Sequence, residues 1–197
     1  MISLTILRSS FVVIFCCLLS VGIAQAAPIH IVAYGDSGVA GKGVPSDQAY
    51  PAQLERMLRQ KGFDVSVANK GVNGRTSVDA IANLDASVPA STNIVIVQFG
   101  VNDLKHGIDA AQVRSNMDQV VSRLRARGIG VLVVGYPAVD LSGVASSHGA
   151  LYVTWGGLPD PKYHVPNDPN HHFNAPGLEV MASRMLSAVE KLIAAKH

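Results

Sequence analysis

Cysteine is all but missing from this chain: of 197 residues only Cys16 and Cys17 are cysteines, adjacent and close to the amino terminus. Everything after them lacks a thiol, which excludes a disulfide framework, a thiolate nucleophile and a cysteine metal site. Charge is scarce as well, and 16 Lys and Arg stand against 14 Asp and Glu. So even a balance carries no basic footprint for nucleic acid, and none is expected as a partner. A long apolar run occurs once, over residues 11–24, and it is short for a membrane span of about 20 apolar residues. No internal repeat, low-complexity stretch or linker interrupts the remainder, whose length suits one domain with a real core.

That single apolar run has the marks of a targeting segment. Arg8 is the only charge in residues 1–26, and the stretch ends in Ala24-Gln25-Ala26, a small-x-small pattern of the kind signal peptidase reads. The expectation is a secretory signal over residues 1–26 and a domain over 27–197, with no stable membrane insertion of the mature chain. Export without disulfides fits a bacterial periplasm or the medium.

From residue 29 onward, strand-like apolar runs alternate with helical stretches. Residues 29–34, 65–67, 94–97, 131–134 and 151–154 read as five strands, several of them continuous in apolar residues. Between them, helices are expected over 47–61, from Thr76 through Leu84, over 109–127 and over 176–195, the second capped by Thr76 and carrying Val78, Ile81, Ala82 and Leu84. Continuous strands separated by helices indicate a parallel sheet covered on both faces, an α/β three-layer αβα sandwich. Residues 136–174 break the pattern with Gly, Pro, His and aromatics, a length that ordinary connections do not need.

In such a sheet the carboxyl ends of the strands share one edge, where ligands bind. Gly35-Asp36-Ser37 follows the first strand, Asn73-Gly74 the second and Gly100-Val101-Asn102-Asp103 the third; the histidine-rich segment 168–174 precedes the last helix. A hydroxyl, glycine amide, carboxamide and imidazole with an acid nearby can therefore converge. Those are the components of acyl transfer. Serine needs a base to take its proton as it attacks, and histidine titrates in the right range. The Ser37 amide, the Gly74 amide and the Asn102 side chain are the candidate oxyanion donors. Gly74 suits that place because a residue without Cβ lets substrate approach the backbone closely.

These blocks resemble the SGNH (GDSL-type) hydrolase family, in particular its secreted thioesterase/arylesterase/lysophospholipase-like branch. The matching residues are Gly35-Asp36-Ser37, Asn69 with Gly74, Gly100 with Asn102 and Asp103, and His172 with Asn174 and Gly177. They run in the family's order over almost the whole of residues 27–197. The resemblance implies a flavodoxin-like αβα fold and Ser37 as nucleophile. It also implies Gly74 and Asn102 in the oxyanion hole and an acid–histidine pair near the carboxyl terminus. No cofactor and no metal is implied; the substrate would be a small ester, aryl, short-acyl, thioester or lysophospholipid, with an acetylated carbohydrate as the alternative, or the fold would serve as a non-catalytic binding module.

Two departures from the family pattern stand out. Gly38 occupies a position usually held by leucine, which should loosen the turn. The family's aspartate precedes its histidine by three residues, whereas Asp168 lies three before His171 and four before His172. The downstream register, with Asn174 and Gly177, favours His172 as base and Asp168 as its orienting acid, through a one-residue bulge; His171 competes. Asp103 is expected to serve its loop and Asn174 to cap the last helix. His164, Asp168, His171 and His172 are spaced too irregularly to require a metal. Trp155, Tyr152 and Tyr163 are candidates to line an acyl or aryl pocket or to pack the long loop, and Lys42, Arg75, Lys105 and His106 lie near the same edge and are expected in solvent.

Overall fold

The structure, a computed structural model, describes residues 27–168 and 172–196. The expected signal segment and His171 lie outside the described residues. Five parallel strands form one sheet: β1 (Ile29–Gly35), β2 (Val65–Gly71), β3 (Ile94–Gln98), β4 (Gly130–Gly135) and β5 (Leu151–Thr154), in the order β2-β1-β3-β4-β5. The helices are α1 (Ser37–Ala40), α2 (Tyr50–Gln60), α3 (Ser77–Ala82), α4 (Leu84–Ser87), α5 (Val101–Lys105), α6 (Ala110–Ala126), α7 (Ser142–Ser147) and α8 (Ala175–Ala194).

The apolar runs are continuous because successive residues of each central strand enter different cores. Ile29, Ile31, Ala33, Ile94, Ile96, Leu132 and Val134 pack with Leu54 and Leu58 of α2 and Met181, Met185 and Val189 of α8. Val32, Tyr34, Val95, Val97, Val131 and Val133 pack on the other face with Val113, Met117, Val120 and Leu124 of α6. Each such aliphatic side chain, when fully buried, contributes about 1.5–3 kcal/mol. The central strands are consequently buried on both faces, and their carboxyl ends share one edge.

Three expectations change. The helix expected from residue 47 is two elements, a single 3-10 turn (Ser46–Gln48) and α2, because Ala49 between them is extended at ψ 149°. Strand β2 continues past Val67 to Gly71, since its ladder with β1 holds as far as the Gly35–Gly71 pair. The helix after Thr76 breaks at Asn83 into α3 and α4, and Val78 points to solvent while Ala80 and Leu84 are buried. Thr76 does start it, in a reciprocal capping box with Asp79. Among the described residues, no helix is long and apolar enough to cross a membrane.

Candidate active site

Ser37 stands where β1 ends and α1 begins, as the first residue of the helix. Its amide, like any first-turn amide, has no carbonyl partner within the helix. Asp36 caps α1: its carboxylate accepts the Gly38 amide at 2.9 Å. The turn is clamped from β2 as well. Asn69 donates from Nδ2 to the Val39 carbonyl at 2.9 Å. A Cβ on Gly71 would lie 2.2 Å from the Ala40 nitrogen, so only glycine lets β2 approach α1 this closely.

His172 reaches Ser37 from the segment before α8. Its Nε2 lies 2.9 Å from Ser37 Oγ, and its Nδ1 lies 2.5 Å from Asp168 Oδ2. An ionised carboxylate only accepts, so Nδ1 carries the ring proton and Nε2 is left to accept from the serine hydroxyl. The same Asp168 Oδ2 accepts the His172 backbone amide at 2.7 Å. The four-residue spacing thus lets one oxygen hold both the ring and the backbone of the histidine. Asn174 caps α8 through the Gly177 amide and donates to the carbonyls of Lys162 and His164, which fastens the end of this segment.

Asn102 lies on α5 and is mostly buried; its Nδ2 donates one proton to the Arg75 carbonyl at 2.8 Å, and a carboxamide nitrogen has two to give. Asp103 beside it is fully buried and accepts the Ser77 amide and hydroxyl, the latter at 2.5 Å, while Asn116 of α6 donates to that hydroxyl. Asp103 therefore fixes α5, and Asn102 with it, against α3 and α6. Gly74 occupies an exposed turn at φ +83°, a conformation that favours glycine, with open space where a Cβ would be.

A cavity of about 70 Å³ opens over Ser37, walled by Val101, Asn102, Tyr136, Trp155, His172, Phe173 and Leu178. Of the three aromatics singled out in the sequence, Trp155 lines it; Tyr152 and Tyr163 do not. Gly74 is also outside the lining, one residue before the Arg75 carbonyl that holds Asn102. Lys42 and Lys105, expected merely in solvent, are exposed and also line the cavity.

Below the serine is a polar group that the sequence reading passed over. Tyr136, directly after β4, donates to Asp36 at 2.9 Å and accepts from Gln98 Nε2 at 2.8 Å. Burial raises the Asp36 carboxyl from its ordinary 3.8 to about 6, against the pull of its bonds from Gly38 and Tyr136. A Cβ at Gly38 would come within 2.7 Å of Gln98 Nε2, so its absence leaves room for these side chains. Both were signalled only faintly, by a polar residue ending an apolar strand and a tyrosine following another.

A family model described as GDSL-like Lipase/Acylhydrolase matches residues 33–180. The chain is 32% identical over 112 residues to Esterase TesA of Pseudomonas aeruginosa, covering 56% of this chain and 56% of that protein. It is 28% identical over 129 residues to an arylesterase of Vibrio mimicus, covering 65% and 63% respectively. The matched stretches thus span less than two thirds of either relative. In structure it resembles AlinE4, described as an SGNH-hydrolase family esterase, with a TM-score of 0.57 and 28% identity over 85% of this chain and 98% of that one. The TesA crystal structure shares the fold at a TM-score of 0.69 and 22% identity, covering 83% of this chain and 99% of that one.

Proposed function

We propose that this chain, which belongs to the GDSL-like lipase/acylhydrolase family, is a serine esterase that cleaves small carboxylic esters through an acyl-enzyme. The observation that carries the reading is the unbroken line from Asp168 through His172 to Ser37, 2.5 Å and 2.9 Å long, at the mouth of a cavity. Ser37 Oγ attacks the ester carbonyl while His172 Nε2 takes its proton, and Asp168 stabilises the imidazolium that forms. The Ser37 amide and the Asn102 side chain, both at the cavity, hold the oxyanion, and the Gly74 amide is the third expected donor, from a turn outside the cavity lining. His172 returns the proton to the leaving alcohol; water, deprotonated by His172, then attacks the acyl-serine and frees the acid. No step needs a metal or cofactor.

The cavity over Ser37 is small, about 70 Å³, which supports a short acyl group with the alcohol part outside. An acetylated carbohydrate is the second reading, because the same small cavity accommodates its acyl group. Residues 1–26 serve as a cleaved signal for export to the periplasm or medium, and residues 27–197 act as one domain. Turnover of p-nitrophenyl esters of increasing chain length, beside acetylated glycans, tests the proposal. An initial burst of p-nitrophenol with fastest turnover of the shortest acyl chains is expected. No hydrolysis of any ester would overturn it.

A further inference from the structure

Most of the polar atoms near Ser37 are explained by the proposed chemistry. The Gln98–Tyr136–Asp36 group is not. It forms a file of hydrogen bonds: Gln98 Nε2 donates to the Tyr136 hydroxyl at 2.8 Å, that hydroxyl donates to Asp36 at 2.9 Å, and Asp36 also accepts the Gly38 amide at 2.9 Å. Asp36 and Gln98 are fully buried and Tyr136 nearly so. Its far end comes at a cost, for Gln98 Oε1 is buried without a hydrogen-bond partner. An apolar residue at the end of β3 would avoid leaving that oxygen bare, so what the position requires is the donor end of the amide. The near end flanks the nucleophile, since Asp36 and Gly38 are the residues on either side of Ser37. Gly38 supplies the room that the file needs, as its missing Cβ would come within 2.7 Å of Gln98 and 3.3 Å of the Tyr136 hydroxyl.

We propose that Tyr136 is a positioning residue for Ser37, acting through Asp36, with Gln98 holding the tyrosine hydroxyl in its donating direction. The inference rests on the serine-hydrolase reading above. Tyr136 donates only if its oxygen keeps its proton, and burial together with the Asp36 charge raises that group well above its ordinary range, against the opposing pull of the Gln98 bond. Asp36 accepts two bonds best as a carboxylate. The groups acting on it are the Gly38 amide from α1, Tyr136 after β4, and Asp103 and Lys105 on α5; from α2, Tyr50 feels its charge. Because the Tyr136 bond favours the ionised form, its loss pushes the Asp36 carboxyl further up from about 6.

The test compares wild type, Tyr136→Phe and Gln98→Met, with active sites counted by a fluorophosphonate and p-nitrophenyl acetate as substrate from about pH 5 to about pH 9. Tyr136→Phe keeps the ring that walls the cavity. It should lower kcat about 10-fold with KM within about twofold, as a misplaced nucleophile does. The acid-side inflection of kcat should also move to higher pH. Gln98→Met should do the same to a smaller degree, and it decides the matter if Tyr136→Phe fails to fold. Unchanged kcat in the variants, or a rise in KM with the inflection in place, would overturn the role. Wild type that neither labels nor turns over would instead overturn the serine-hydrolase reading and this inference with it.

Discussion

Ser37 and His172 meet at 2.9 Å yet come from regions built in different ways. The serine sits on the sheet: β1, β2 and β3 end around it, and Asp36 and Gln98 beneath it are fully buried. The histidine comes from the long connection between β5 and α8. It is held by one carboxylate that binds both its ring and its own amide, with about 15% of its side chain and 13% of that of Asp168 still exposed. The nucleophile is thus fixed from the sheet, and the base by its own carboxylate together with the packing of neighbouring Phe173 against Trp155. With the four-residue Asp–His spacing, one Asp168 oxygen takes both the ring and the backbone amide of His172, whose Nε2 reaches Oγ.

The largest effect should come from the side with chemistry and least slack. Ser37→Ala is expected to lower kcat/KM by about 10⁶-fold while the thermal melt stays put, because the hydroxyl supports none of the packing. On the other side, Asp168→Asn should cost about 10⁴-fold in kcat by releasing the imidazole tautomer and orientation, measured with the same ester under saturating conditions. Should this variant lose only a few-fold, the base is held by something other than its local carboxylate and the contrast fails. Asn102→Ala, which removes a donor whose place is set by Arg75 and the buried Asp103, should cost about 10²–10³-fold in kcat.

The smallest effect concerns stability. In the folded chain Asp36 titrates near 6, against 3.8 ordinarily, so between those values the folded state holds the extra proton. Stability contributed at this site therefore falls as pH rises through that window, and the penalty is complete above about pH 6, on the order of 3 kcal/mol. Asp36→Asn should raise the melting temperature by several degrees near pH 8 and change it little near pH 4, as followed by circular dichroism. Equal shifts at both pH values would mean that the buried charge is not what costs stability.

The sheet and the strand-end position of Ser37, Gly74 and Asn102 could be read from sequence because they follow from local patterns. Each lies just past an apolar run or a glycine turn. What could not be read depends on residues far apart in the chain. Gly38 suggested a looser turn, but whether a missing Cβ leaves a void or admits a neighbour depends on Gln98 and Tyr136, 60 and 98 residues away. Lys42 and Lys105 read as solvent-facing near the site's edge, and exposed they are; that they also line the cavity needs the folded positions of both segments. The break at Asn83 likewise lies within an apolar periodicity that continues across it.

The central claim is that His172, brought by its loop, activates a serine that the sheet holds ready. Treating the protein with a fluorophosphonate and mapping the adduct by peptide mass spectrometry tests it directly, in wild type, His172→Ala and His171→Ala. The account predicts one adduct, on Ser37, formed at the wild-type rate in His171→Ala and nearly abolished in His172→Ala. An adduct elsewhere, or Ser37 labelling that survives loss of His172 and disappears with loss of His171, would contradict it.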